Sequence, residues 1–310
     1  MLKNNITIQD KKIFDKYLQA YDYKTSGLTF TSLFMWKNLN RFKFEIINDY
    51  LCISGNSHLE IAEPEPFLFP PLTKTGSYDL NLLSDTIERS RKIFEKEGYL
   101  FSIRLLPFHM IELIEGAKPN CMVFYSDRPN YDYVYLSKDL IELRGKKYHS
   151  KKNHLNFFKK NYDYKYRVLT PDMADECLQL NRYINQNKEI NTNERGLLEM
   201  EEEALKEAFS HFNSAGFLGG VILIDNKIQA FTLGGPLGKK AVTVHIEKAS
   251  PDFRGLYQAI NNEFCKHTAN TVKFVNREED MGIPGLRKAK ISYRPVKYIE
   301  KYIAMFKEDI

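Results

Sequence analysis

Between Ala241 and Glu247 apolar and polar side chains alternate: Val242, Val244 and Ile246 interleave with Thr243, His245 and Glu247. A period of two is that of a half-buried strand, and it places Thr243, His245 and Glu247 on one face. Ser250-Pro251-Asp252 breaks the alternation, after which Leu256, Ile260, Phe264 and Cys265 recur at helical spacing. Residues 272–275 return to a strand. The same periodicities predict strands over 131–136, 164–169, 217–224, 227–234 and 240–248, with a hairpin turn at Asp225-Asn226. They predict a basic helix or helix pair over 140–161, a helix over 171–185 and an acidic helix over 197–213. Residues 185–196 read as polar and irregular, and 293–306 as the closing segment.

The first half is a looser version of the same order. Helices are expected over 8–18, 29–39, 78–98 and 107–114, the third with Asp79 near its start and Gly98 as its C-cap. Strands are expected over 42–47 and 50–54 around Asn48-Asp49, and over 101–105 and 122–126. Glu63-Pro64-Glu65-Pro66 and Pro70-Pro71 mark an extended loop. The fold expected is therefore α/β (α+β), with two similar modules in tandem at 1–130 and 131–310. Each is a mixed central sheet flanked by helices. No direct sequence repeat accompanies them.

Composition narrows the class. The 310 residues are 43% hydrophobic and 27% charged, as in soluble globular proteins. No apolar run approaches the ~20 residues of a membrane-spanning helix, and the N-terminus lacks a secretory pattern. Four cysteines without metal-ligand spacing read as reduced packing residues, which suits the cytoplasm and argues against a metal site. The net charge of +5 is unevenly spread: residues 144–167 hold nine Lys or Arg against one Asp. An anionic partner is the inference.

Four stretches carry candidate chemistry. Arg254, Gly255 and Tyr257 sit at a helix N-terminus, where free backbone N–H groups can receive the pyrophosphate of an acyl donor; the plainer reading is an ordinary strand-to-helix connection. His245 or Glu247 can serve as a general base, or can belong to a solvated face. Lys146, Lys147, His149, Lys151 and Lys152 can grip the phosphates of tRNA or an anionic lipid headgroup. The alternative is a solvated helix face paired with the acidic helix near Glu199. In residues 276–295, Gly282 and Gly285 would let a loop approach a ligand, with Arg287, Lys288 and Lys290 adding positive charge beside it.

The strand–loop–helix–strand unit resembles the core of the GNAT acyltransferase superfamily. RGKKYHSKKNHLNFFKK, IEKASPDFRGLYQAINNEF and VNREEDMGIPGLRKAKISYRPV are similar to an uncharacterised bacterial family sharing the C-terminal domain of phosphatidylglycerol lysyltransferases, built as two GNAT-like modules. The resemblance covers 135–301 well and the first half loosely. It implies a splayed central strand at the reacting centre, followed by a donor-holding loop. It also implies transfer of an aminoacyl group from aminoacyl-tRNA to an amine or hydroxyl acceptor, as in lysyltransferases and Fem-type peptidoglycan aminoacyltransferases. This chain departs from that pattern in lacking an integral-membrane region. Asp252 to Tyr257 also lacks the second glycine of a coenzyme A pyrophosphate loop. The donor expected is aminoacyl-tRNA or a coenzyme A thioester. An acetyl-CoA-dependent N-acetyltransferase and a non-catalytic module binding RNA or anionic lipid are the alternatives. The sequence carries no signal for oligomeric state.

Overall fold

Local turn chemistry lays out the strands. In the computed structural model, which describes residues 1–20, 24–56, 65–186 and 192–310 (side chains of 192–195 and 197 excepted), Asn48 and Asp49 have φ of 50° and 67°. Two consecutive left-handed residues make the hairpin turn that suits the twist of paired strands. They join β2 (Lys43–Ile47) to β3 (Tyr50–Asn56). The first sheet adds β1 (Asn4–Asn5), β4 (Pro66–Leu68), β5 (Ser102–Pro107), β6 (Met122–Ser126) and the last strand of the chain, β14 (Lys301–Phe306). Its seven strands run β1-β2-β3-β4-β5-β14-β6, with β4 and β5 parallel.

Helices α1 (Lys11–Leu18), α2 (Phe30–Met35), α3 (Leu80–Glu95) and α4 (Ile111–Ala117) belong to the same unit. The Asp79 carboxylate caps α3 by accepting from the N–H groups of Asn81 and Leu82, an interaction of ~1 kcal/mol. Leu83, Ile87 and Phe94 then turn inward. Asp132 and Lys301, both buried, pair at 2.6 Å, and Asp132 also accepts from the Ser26 N–H and hydroxyl.

Two compact units divide the chain. The first comprises Met1–Asp132, Glu279–Pro284 and Tyr298–Ile310; the second comprises Tyr133–Glu278 and Gly285–Lys297. The second sheet contains β7 (Asp132–Leu136), β8 (Lys165–Val168), β9 (Leu218–Ile224), β10 (Lys227–Leu237), β11 (Ala241–Ala249), β12 (Phe274–Asn276) and β13 (Lys297–Ile299), in the order β13-β7-β12-β11-β10-β9-β8. Asp225 and Asn226, at φ 50° and 59°, repeat the hairpin device between β9 and β10. The pair β11–β12 is parallel, and its flanking pairs are antiparallel.

Its helices are α5 (Ser137–Glu142), α6 (His149–Asn161), α7 (Ala174–Gln186), α8 (Thr192–Ser210), α9 (Phe212–Ala215), α10 (Leu256–His267) and α11 (Pro284–Ile291). Helix α10 fills the space between sheet and α6: Leu256, Ala259 and Ile260 pack with Leu155, Phe158, Ile222 and Ala230. Each large apolar side chain buried there contributes roughly 1.5–3 kcal/mol.

The expectation of α/β units with mixed sheets flanked by helices is borne out. Details differ. The basic stretch takes the helix-pair form of the two expected, because Leu143 turns left-handed at φ 46° and ends α5. Residues 276–295 are not one loop; Gly285 lies inside α11. Pro66, expected in an extended loop with Glu63 and Pro64, opens strand β4, while Glu63 and Pro64 fall outside the described residues. Of the irregular stretch 185–196, Thr192 onward is helical and 187–191 lies outside the described residues. Cys52, Cys177 and Cys265 are buried as packing residues should be, but Cys121 is exposed.

Candidate active site

A one-residue irregularity shapes the site. Leu233 pairs with Ile246 and Gly234 pairs with Val244, so His245 is the extra residue of a β-bulge in β11. Gly234 permits the close approach, since a Cβ there would sit 2.1 Å from the Thr243 carbonyl oxygen. Before the bulge, Val242 and Val244 pack against Phe264 and Cys265 of α10. After it, Glu247 reaches Asn261 of α10 and Ala249 packs on Leu256. An unbroken strand would send Val244 and Glu247 to opposite faces. The shared face expected for Thr243, His245 and Glu247 rests on that unbroken alternation, and the bulge removes it.

The β11–β12 ladder stops early. Ala241, Val242 and Thr243 pair with Phe274, Val275 and Asn276, and no further pairs follow. Beyond that point side chains bridge the two segments. His245 Nδ1 lies 2.7 Å from Glu278 Oε1, and Arg277 Nη2 lies 3.0 Å from Glu247 Oε1. Asn261 Nδ2 donates to the other Glu247 oxygen at 3.1 Å. Glu278 is itself left-handed at φ 57°, its N–H held by Asn276 Oδ1 at 2.8 Å.

The electrostatics concentrate on Arg277. Its guanidinium lies 4.8 Å from the Tyr293 ring centroid and 5.8 Å from that of Tyr135. Burial works against its charge, but Glu247, Tyr135 and Tyr293 outweigh burial and hold its pKa above the ordinary arginine value. Burial raises the Tyr293 phenol, with Arg277 opposing. Lys151 stands 4.4 Å over the Tyr293 ring, and burial followed by the Arg277 charge lowers its pKa, with Glu247 opposing. Lys290 is buried, its ammonium donating to the Arg277 carbonyl, while the Tyr135 hydroxyl donates to the Lys290 carbonyl at 2.8 Å.

The other expected residues are distributed differently. Arg254 lies over the Phe157 ring at 4.6 Å, and Tyr257 is exposed in the first turn of α10. Gly255 caps that helix at φ 88°, and a Cβ on it would meet the His154 carbonyl oxygen at 2.3 Å. Its glycine is accounted for by the α6 backbone packed against it. Gly255→Ala should accordingly destabilise the protein by ~2–4 kcal/mol in denaturant titration, from left-handed strain plus overpacking. A cost below 1 kcal/mol would show that α6 gives way easily.

Lys146 and Lys152 are exposed, Lys147 pairs with Asp139 at 3.3 Å, and His149 contacts Asn153 at 3.0 Å. Of the basic segment, Lys151 alone joins the Arg277 cluster. Arg287 is half-buried and Lys288 exposed on α11. Among the described residues no group of three or more His, Cys, Asp or Glu is placed to hold a metal, and no helix is long and apolar enough to cross a membrane. Sequence reading missed Arg277, Glu278, Asn261 and Tyr293. The available signal was the charged pair placed immediately after a buried strand.

The family described as phosphatidylglycerol lysyltransferase, C-terminal, matches residues 18–305. A conserved protein of unknown function from Bacteroides thetaiotaomicron is 33% identical, with TM-score 0.85 over 99% of this chain and 100% of that one. L-PGS from Bacillus licheniformis is 14% identical, with TM-score 0.66 over 98% and 93%. FemX is 8% identical, with TM-score 0.64 over 100% and 98%. At such identities the last two show a shared fold.

Proposed function

We propose that this chain, which belongs to the phosphatidylglycerol lysyltransferase C-terminal family, moves an aminoacyl group from aminoacyl-tRNA to an amine or hydroxyl acceptor at the end of the β11–β12 ladder. Each compact unit is read as one module of the tandem pair, and the second holds the reacting centre. The observation that carries this reading is the His245–Glu278 pair beside Arg277, at the point where two parallel strands separate.

Each residue has a role in acyl transfer. Nδ1–H of His245 donates to Glu278, which orients the imidazole assigned here as the base that takes the acceptor's proton. Glu247, already engaged by Arg277 and Asn261, orients the guanidinium. Arg277 and Lys151 supply positive charge where the ester carbonyl becomes negative. Exposed Lys146 and Lys152 suit the phosphates of the tRNA. The packing of α6 on Gly255 supports aminoacyl-tRNA over coenzyme A, because the one glycine of that loop faces the chain's own backbone.

Purified protein given tRNA charged with radiolabelled amino acids should move label into phosphatidylglycerol vesicles or into a soluble amine panel. Coenzyme A at millimolar concentration should leave its melting temperature unchanged. Acetyl transfer from acetyl-CoA, with none from aminoacyl-tRNA, would replace this reading with that of an acetyltransferase.

A further inference from the structure

Thr232 stands directly opposite Glu247 in the β10–β11 ladder. Directly opposed residues of an antiparallel pair share a face, with Cβ atoms ~4.5–5.5 Å apart. The Thr232 hydroxyl is fully buried and has no hydrogen-bond partner among the described residues. Arg277 Nη1 is in the same condition, although Nη2 of that guanidinium is bound to Glu247. A buried polar group left unmatched costs ~1–3 kcal/mol, and a charged one more. Two such groups, one across the ladder from Glu247 and one on its ion-pair partner, mark a place kept for an atom the chain does not provide.

The chemistry of that atom follows from its neighbours. A guanidinium only donates, and a threonine hydroxyl can donate, so the missing atom is an acceptor. An ester carbonyl oxygen is neutral on arrival and becomes negative only during reaction.

We propose that Thr232 Oγ1 and Arg277 Nη1 form the oxyanion site for the carbonyl oxygen of the donor's aminoacyl ester. This rests on the aminoacyl-transfer reading. The acceptor's nitrogen or oxygen attacks the carbonyl carbon, and the π pair moves onto the carbonyl oxygen between the two donors. Its return breaks the ester C–O bond and expels the terminal ribose oxygen of the tRNA. The proton lost by the acceptor passes through His245 to that ribose oxygen. One C–O bond is exchanged for one C–N or C–O bond, with no oxidation.

Thr232→Val keeps the shape and removes the donor. It should lower kcat by ~10²-fold with KM within about twofold, while the melting temperature holds or rises because an unmatched buried hydroxyl is gone. Thr232→Ser, which restores the O–H, should recover most of kcat. If the wild type transfers from aminoacyl-tRNA and Thr232→Val is as fast, the site holds only a buried water and the oxyanion assignment falls. If Thr232→Val slows transfer only in proportion to lost folded protein, the assignment falls likewise. A wild type that transfers nothing from aminoacyl-tRNA overturns the functional reading and this site together.

Discussion

His245→Gln is expected to slow aminoacyl transfer by about 10²–10⁴-fold, the usual contribution of a positioned acid–base group. That is a barrier increase of roughly 3–5 kcal/mol. Glutamine can keep a hydrogen bond to Glu278 but has no nitrogen able to take a proton. The side chain of His245 is fully buried, so a melting curve must accompany the kinetics to separate lost chemistry from lost fold. Glu278→Gln should cost less, since its amide oxygen still accepts from Nδ1–H and preserves the tautomer. Wild-type turnover by His245→Gln would move the base to Glu247.

Arg277→Leu should be the most destabilising change near the site. It leaves Glu247, whose side chain is 9% exposed, with Asn261 as its remaining hydrogen-bond partner among the described residues. Removing one member of a buried ion pair typically costs ~3–5 kcal/mol, because the other charge stays behind in a low-dielectric place. The denaturant midpoint should fall accordingly, and activity should fall with it even at temperatures where the variant is folded. Combining it with Glu247→Gln should recover much of the stability and none of the activity. A single variant within 1 kcal/mol of wild type would mean that water reaches Glu247 and solvates it.

The frame of the second unit was legible because its signals are local. Asp225-Asn226 can adopt the left-handed turn that few other pairs tolerate, and the alternation on either side needs no partner to be read. Helix α10 shows itself in the spacing of Leu256, Ile260 and Phe264. The site was less legible because its decisive features are properties of pairs. Nothing in Thr243-Val244-His245-Ile246-Glu247 announces a bulge; the register shift is set against β10, where Gly234 admits the Thr243 carbonyl. Thr232 is one polar residue among apolar neighbours and Asn261 one of the polar run Asn261-Asn262-Glu263, and the Glu247 that each of them faces or binds lies on another element. Arg277 and Glu278 were visible as charges, but a run of charged residues says nothing about which of them turns inward. Gly255 has a packing reason that the sequence did not show. Its motif context pointed to a ligand, while the neighbour that requires a glycine is the carbonyl of His154.

The position of β14 has a consequence for biosynthesis. It sits between β5 and β6 as an interior strand of the first sheet, yet it is made long after both. At ribosomal speeds of about 5–20 residues per second, roughly 10–35 s separate the emergence of Ser126 from that of Lys301. During that interval the nascent sheet has a slot with two raw edges, each able to recruit a foreign strand. The first unit therefore closes last, although it is begun first. The charge pair of Asp132 and Lys301 is made only when the late strand arrives.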